Sequence, residues 1–394
     1  SVDAERAMPT YAEVTAQLTG AGAPFEIVTE TVDGRPMKNW KNRERSMREK
    51  IRNAGLRGDA PCMVHGERRI SYGEFAKLVW GSAAALRDEH GLRSGDRVAL
   101  LAMNSPDWLI ALFGATSLGG IGVGMNGWWA PNEIEYGLAD SGARFLVVDE
   151  RLWPRVERLA GKLPTLEKIF YVGADPPRGT VPIAELLHPH DSEPSEPIAE
   201  NHPWVILYTS GTTGRPKGCI TTHGGTVSQV VGIVFAGLAG ALLGGGSPMP
   251  SAGGPMTNLL TTPLFHVGGL HSVSCTALSV GAKLVFLEGK FDPVKVMQTI
   301  ERERVTTWGS VPTMLHRVVH HADVAKYDLS SLTAVSFGAA PMPPETLRRA
   351  REVLPVKENL TNACGLTETH GVPTRTGGKD LPGAAGSNTP ALPV

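Results

Sequence analysis

The stretch YTSGTTGRPKG, residues 208–218, decides how this chain reads. Its eleven residues hold four Ser/Thr hydroxyls, three glycines, one Arg and one Lys, and no acid. Glycines expose backbone N–H groups that make a nest for anions. The hydroxyls of Thr209, Ser210, Thr212 and Thr213 add donors, and Lys217 adds a full charge. "WVILY" (204–208) before the loop reads as a buried strand. "TTHGGTVSQVVG" (221–232) after it opens a helix, whose N-terminus would favour an anion nearby. The loop therefore suits a polyphosphate. It is not a Walker A loop, which runs G-x-x-x-x-G-K-[ST]. Here the order is G-x-x-G-x-P-K-G, and Lys217 is followed by Gly218.

Outward from the loop, short apolar runs alternate with helical patterns. "RVALLAM" (97–103), "FLVVD" (145–149), "KIFYV" (168–172), "KLVFL" (283–287) and "TAVSF" (333–337) read as buried strands. Helices are expected from Ser71, with Glu74 completing a capping box, to Gly91, and from Pro106 to about Leu118. Others run over Pro293–Glu303, Pro312–His321 and Pro343–Arg351. Such alternation predicts an α/β fold: two layered α/β lobes with mostly parallel sheets. The expected divisions are an N-terminal arm at 1–60, a first lobe at 61–203 and a second lobe at 204–370. A Gly/Pro-rich edge at 371–394 opens a β-rich segment that is expected to continue in a longer protein.

Composition narrows the function classes. A net charge of −1 over 394 residues gives no overall field for nucleic acid. Gly and Pro make up about 19% of the chain, against roughly 12% in average usage, which points to many loops. Cys62, Cys219, Cys275 and Cys364 form no CxxC pair, which fits a reducing cytosol and argues against a zinc site or a disulfide framework. Residues 35–57 hold nine Lys/Arg against two Glu. A solvated helical face is the plain reading, and a weak peripheral contact with anionic lipid or a phosphorylated ligand is the alternative. The expected location is cytoplasmic. From Gly218 to Ala282 no Asp, Glu, Lys or Arg occurs in 65 residues. The apolar run inside this tract, with a GxxxG at Gly240 and Gly244, reads as a buried helix or the wall of an apolar pocket rather than a membrane span.

At this point the loop resembles the phosphate-binding signature of the adenylate-forming superfamily: acyl-CoA synthetases, firefly luciferase and nonribosomal-peptide adenylation domains. Three further segments are similar in the same order: "PLFHVGGL" (263–270), "GAAPMP" (338–343) and "NACGLTETHG" (362–371). The resemblance runs from about residue 60 onward. It implies that Thr209, Ser210, Gly211, Thr212, Thr213, Gly214 and Lys217 hold the β- and γ-phosphates of ATP. It implies that Thr367 binds the α-phosphate and that Glu368 helps hold Mg²⁺, a hard ion suited to carboxylate. Gly338, Ala339, Ala340 and Pro341 would line adenine, with Asn362, Cys364 and Gly365 nearby. His266 would sit near the substrate carboxylate, beside Gly268 and Gly269; its plain alternative is a buried histidine with satisfied nitrogens. Trp308, Val311, Pro312 and Met314, together with Gly338, would supply pocket wall or simply core.

Two departures stand out. Cys364 occupies the place of an aromatic that stacks on adenine in the family, so stacking worth ~1 kcal/mol is not supplied there. The family's ribose-binding Thr-Gly-Asp segment, hinge and lysine-bearing small C-terminal domain do not occur in these 394 residues.

The charge-free tract argues against an amino-acid substrate, since a buried ammonium without a partner costs several kcal/mol. The expected reaction is activation of an apolar carboxylic acid by ATP to acyl-AMP and pyrophosphate, then transfer to coenzyme A. A fatty acid is ranked first and an aryl acid second. A luciferase-like oxygenase, a P-loop kinase, and a fragment that binds nucleotide and acyl group without full activity are the competing readings.

Overall fold

The computed structural model describes residues 9–32, 34–210, 214–243, 255–356, 359–377 and 392–394. Two sheets carry the fold. The first has seven strands in the order Lys217–Thr222, Pro203–Thr209, Ile121–Gly124, Arg97–Leu101, Phe145–Asp149, Lys168–Val172, Val181–Pro182. The second has eight: Gly371–Gly377, Leu360–Leu366, Ala334–Gly338, Thr307–Ser310, Thr257–Leu260, Lys283–Phe286, Pro61–His65, Arg68–Ser71. All neighbours are parallel except Pro203–Thr209 with Lys217–Thr222 and the outermost pair at each end of the second sheet. The expected α/β class with mostly parallel sheets is what the chain forms.

The layering follows from the two-residue period of a strand. Val98 and Leu100 join one core cluster while Ala99 and Leu101 join another. Leu284 and Phe286 face the shared cluster, and Val285 and Leu287 the opposite side. Both sheets are therefore buried on two faces, which is why their strands read as unbroken apolar runs. The shared cluster holds the helices Tyr72–Asp88 and Pro106–Thr116 between the sheets, with Phe75 and Phe113 edge to face at 6.1 Å. Ser71 caps the first of these, accepting from the Glu74 N–H at 3.2 Å.

Sheet membership does not follow the chain divisions at 61 and 204. The hairpin at 61–71 belongs to the second sheet, and the strands at 203–222 belong to the first. The chain passes from the second sheet to the first after Ser71 and returns to the second after Thr222. Two expectations need correction. The signature loop is not followed at once by a helix: strand Lys217–Thr222 intervenes, with Lys217 opposite Thr209, and the helix His223–Leu242 starts at the Thr222 cap. Cys219 to Thr222, three of them β-branched, extend the hairpin instead. The helix Pro343–Arg351 begins at Pro344.

His223–Leu242 is the one helix among the described residues long and apolar enough to cross a membrane. One side of it packs into the protein: Val227 and Val230 sit in the shared core, and Phe235 lies tilted against Trp40 at 5.7 Å. Gly244 of the GxxxG pair lies outside the described residues. The basic stretch 35–57 is largely paired, with Arg43 and Lys50 almost fully covered. Lys41, Arg43, Arg45, Arg48, Lys50 and Arg52 all pair with carboxylates, namely Glu26, Glu30, Glu44, Glu49, Glu193 and Glu200. Charges paired this way do not support the alternative of a peripheral membrane contact.

Candidate active site

Every signature segment leaves the carboxyl end of a parallel strand. The loop follows Thr209, "PLFH" follows Leu260, Val311–Pro312 follows Ser310, Ala339–Pro341 follows Gly338, and Thr367–Glu368 follows Leu366. Parallel α/β sheets bind ligands at this edge, where chain reversals leave backbone groups unpaired.

The loop is anchored at both limbs on one helix, Pro131–Ser141. The Tyr208 hydroxyl donates to the Asp140 carboxylate at 2.8 Å, and the Tyr136 hydroxyl donates to the Pro216 carbonyl at 3.1 Å. Tyr136 and Asp140 stand four residues apart and so share a face. Burial first, then Asp140, raises the Tyr208 pKa, so it remains a donor. Gly214 takes φ +96°, which only glycine adopts without strain. Gly211, Thr212 and Thr213 lie outside the described residues. Thr209 is half-buried, and Ser210 and Lys217 are exposed. Among the described residues, neither the Lys217 ammonium nor the Glu368 carboxylate makes a hydrogen bond or ion pair, and both are exposed.

The Thr367–Thr369 turn docks against strand Lys217–Thr222. His370, which ends the turn at φ +62°, accepts the Thr222 N–H on its ring Nε2 at 3.2 Å. The Glu368 charge reaches Cys219, two residues past Lys217: burial raises the Cys219 pKa and Glu368 adds to it. The structure thus brings the two ends of the expected phosphate site together. The donor set fits a hard divalent ion, since Glu368 offers unpaired carboxylate oxygens next to the Thr367 hydroxyl.

The adenine segment is a tight backbone platform. A Cβ on Gly338 would stand 2.4 Å from the Ala363 carbonyl oxygen, so glycine lets the strands Ala334–Gly338 and Leu360–Leu366 close up. Ala339 holds φ +68°, a conformation disfavoured for alanine and concentrated at functional sites. Ala339, Ala340 and Pro341 are exposed, as are Cys364 and Gly365; Asn362 is half-buried opposite Phe337.

His266 is exposed, not a satisfied buried histidine, and crowding by the protein lowers its pKa. Its ring lies 4.6 Å from Phe265 and 6.3 Å from Trp128. Trp128 is 69% exposed and forms an aromatic shelf that sequence reasoning missed, although "GWW" (127–129) was the visible signal. Asn104 was missed too. It clamps the turn before His266, donating to the Thr262 carbonyl at 2.8 Å and accepting the Leu264 N–H at 2.9 Å.

A cavity of about 190 Å³ lies between the helix His223–Leu242, the segment Gly268–Val280 and the second sheet. Ile233, Val234, Met256, Val273 and Val280, all from the charge-free tract, form its apolar wall. The Trp308 side chain belongs to the cluster on the other face of the sheet, its indole N–H held by Thr261 Oγ1 at 3.0 Å, so the residue borders the cavity without offering its ring to it. Gly309 keeps the space open, since a Cβ there would meet Val273 at 2.9 Å. Of the residues expected in the pocket, Trp308 lines this cavity. His266, Gly268, Gly269, Val311, Pro312 and Gly338 do not, nor does Met314. Gly269 serves packing, because a Cβ would meet the Pro263 carbonyl at 2.2 Å. Pro312 and Met314 belong to a helix, Pro312–Val319, that packs on the opposite face of the second sheet.

Comparison with known proteins follows the same lines. The family model for AMP-binding enzymes matches residues 51–394. A feruloyl-CoA synthase from an Amycolatopsis species is 32% identical over 300 residues, 76% of this chain and 55% of that protein. An indoleacetate–CoA ligase from Aromatoleum aromaticum is 31% identical over 345 residues, 87% of this chain and 64% of that protein. Among solved structures, the anthranilate CoA ligase AuaEII in complex with anthranoyl-AMP has a TM-score of 0.77 at 25% identity, covering 87% of this chain and 64% of that one. The N-terminal domain of FACL13 from Mycobacterium tuberculosis is similar in fold, with a TM-score of 0.74 at 24% identity over 88% of this chain and 83% of that one. The chain spans about half the length of the curated relatives it matches first. It belongs to the family of AMP-binding enzymes.

Proposed function

We propose that this chain forms the ATP- and acid-binding body of an AMP-forming acid–CoA ligase. The observation that carries this reading is the pair of unpartnered charges, Lys217 and Glu368, held on neighbouring elements of a chain whose charge-free tract walls an apolar cavity. In the proposed reaction a carboxylate oxygen attacks the α-phosphorus of ATP. The new P–O bond gives acyl-AMP, and the bond to pyrophosphate breaks. Lys217 and the loop N–H groups hold the outer phosphates, and the Thr367 hydroxyl orients the α-phosphate. The work of the residues is alignment and charge screening at fixed donors. Mg²⁺, held by Glu368, supplies further screening of the phosphate charge. Coenzyme A would then take the acyl group in the whole protein.

Two facts reorder the expected substrates. A cavity of about 150 Å³ accommodates benzene, and this one is about 190 Å³. The relatives at 31–32% identity are named for feruloyl and indoleacetate groups. We therefore place a compact ring-bearing acid ahead of a long fatty acid.

Pyrophosphate release with ATP, Mg²⁺ and a panel of acids tests this. Cinnamate- and indoleacetate-type acids are expected to exceed dodecanoate by about tenfold in kcat/KM, or ~1.4 kcal/mol. AMP and pyrophosphate must appear together; ADP would mean phosphoryl transfer and would overturn the reading. Faster turnover of dodecanoate would restore the fatty-acid ranking.

A further inference from the structure

The Thr367–Glu368 turn is held from two sides by histidines that the functional reading does not use. On one side, the His370 ring accepts the backbone N–H of Thr222 at 3.2 Å. Thr222 ends the strand that leaves the phosphate loop and caps the helix His223–Leu242. On the other side, the His370 carbonyl accepts from Nδ1 of the fully buried His271 at 2.7 Å. His271 belongs to the π-helical segment Gly268–Cys275, whose neighbours Ser272 and Val273 line the cavity. These two bonds assign the tautomers: His370 carries its proton on Nδ1 and His271 carries its own on Nδ1.

Two features show that the surroundings are shaped for this ring. A Cβ on Gly225 would lie 2.3 Å from His370 Nε2, so the first turn of the helix is cut away to admit it. His370 also sits at φ +62°, an uncommon conformation for a side-chain-bearing residue, which the bonds on both sides sustain. Next along the chain, Gln229 donates to the Val372 carbonyl at 2.8 Å, tying the same helix to the strand that follows the turn.

We propose that His370 is a positioning residue, braced by His271, that locks the Thr367–Glu368 turn to the strand leaving the phosphate loop. It touches no reacting atom. Its effect is to hold the Glu368 carboxylate in register with Lys217, so that the metal-bound nucleotide meets both at once. The proposal rests on the reading of Glu368 as a metal ligand given above.

The test is the gain in ATP affinity on adding Mg²⁺, measured by calorimetry on the 394-residue chain. His370→Leu keeps the bulk and removes the acceptor. His370→Gln returns an acceptor near Nε2, and Gly225→Ala displaces the ring without altering it. We expect the wild-type gain to be about tenfold and to shrink to about twofold or less in His370→Leu and Gly225→Ala. His370→Gln is expected to recover most of it, while affinity for metal-free ATP stays within about twofold throughout. Hydrogen exchange gives a second readout: the Thr222 amide should lose protection in His370→Leu and keep it in His370→Gln. A variant that merely loosens the fold would lower both ATP affinities together and would not be rescued by Gln; that result overturns the proposal. Glu368→Gln separates the two levels of the argument. If it abolishes the Mg²⁺ gain while His370→Leu leaves the gain intact, the brace alone is wrong. If Glu368→Gln leaves the gain intact, the metal assignment falls and the brace falls with it.

Discussion

Two regions of this protein are rich in basic residues or built around one, and they use charge in opposite ways. In residues 35–57 six cations are matched by carboxylates, and Arg43 is the extreme case, 2% exposed between Glu30 and Glu200. At the cleft, Lys217 and Glu368 lie on elements that pack together, yet both are exposed and neither has a partner among the described residues. Density of charge did not distinguish a binding site from a structural clamp. What distinguishes them is whether the protein itself has already neutralised the charge. A paired, buried cation holds the fold, and an unpaired cation on a firmly anchored loop is available to a ligand.

The largest expected effect comes from breaking the clamp. Arg43→Ala leaves Glu30 and Glu200 with Arg45 as their remaining cation and removes a donor from the Trp40 carbonyl, which Arg43 reaches at 2.6 Å. Because these carboxylates are about a third exposed and keep Arg45, the cost is set at about 3 kcal/mol, the low end for a broken buried pair, and denaturant unfolding should show it. ATP affinity at 25 °C should stay unchanged while the protein is folded. A stable variant with weakened nucleotide binding would dissolve the contrast between the regions.

The border between the two regions carries the next effect. His223, fully buried, accepts the Met47 N–H at 3.0 Å and so ties the basic arm to the helix against which the Thr-Glu turn rests. Burial lowers its pKa to about 3. An unfolded histidine titrates near 6.5, so between these values the unfolded chain binds a proton that the folded chain refuses. Its contribution is therefore complete above about pH 6.5 and is lost as pH falls. Between pH 6 and 4 the expected loss is about 2–3 kcal/mol, from ~1.4 kcal/mol per pH unit. His223→Asn keeps an acceptor for Met47 and removes the titration, so its stability should fall less steeply over that window. An equal slope would place the acid sensitivity elsewhere.

Legibility in the sequence divides along the same physical lines. Strands buried on both faces, such as "FLVVD" and "KIFYV", matched their bounds because an unbroken apolar run has few other folds available. The short polar-flanked strand Thr257–Leu260 and the hairpin Pro61–Ser71 were not read, since four residues with two polar positions carry no period. The strand Lys217–Thr222 was taken for the approach to a helix because its β-branched residues run directly into Thr222, a good cap. At the site, loop chemistry was readable from residue types alone. The supports were not: Tyr136, Asp140, Asn104 and His370 act through contacts 68 to 160 residues away in the chain, and no local spacing announces them. The wall of the cavity was half-read. The absence of charge from 218 to 282 pointed to it, whereas Val311 and Pro312 do not line it.

The smallest of these effects tests the central claim most directly. Lys217→Ala removes one exposed ammonium with no internal partner, so unfolding should be unaltered. Calorimetry with ATP·Mg²⁺ and with AMP then reads the role of the charge alone. The account predicts about a tenfold loss of ATP·Mg²⁺ affinity, ~1.4 kcal/mol, with AMP affinity held within about twofold. Equal losses for ATP and AMP, or no loss for either, would contradict the assignment of this loop to the outer phosphates.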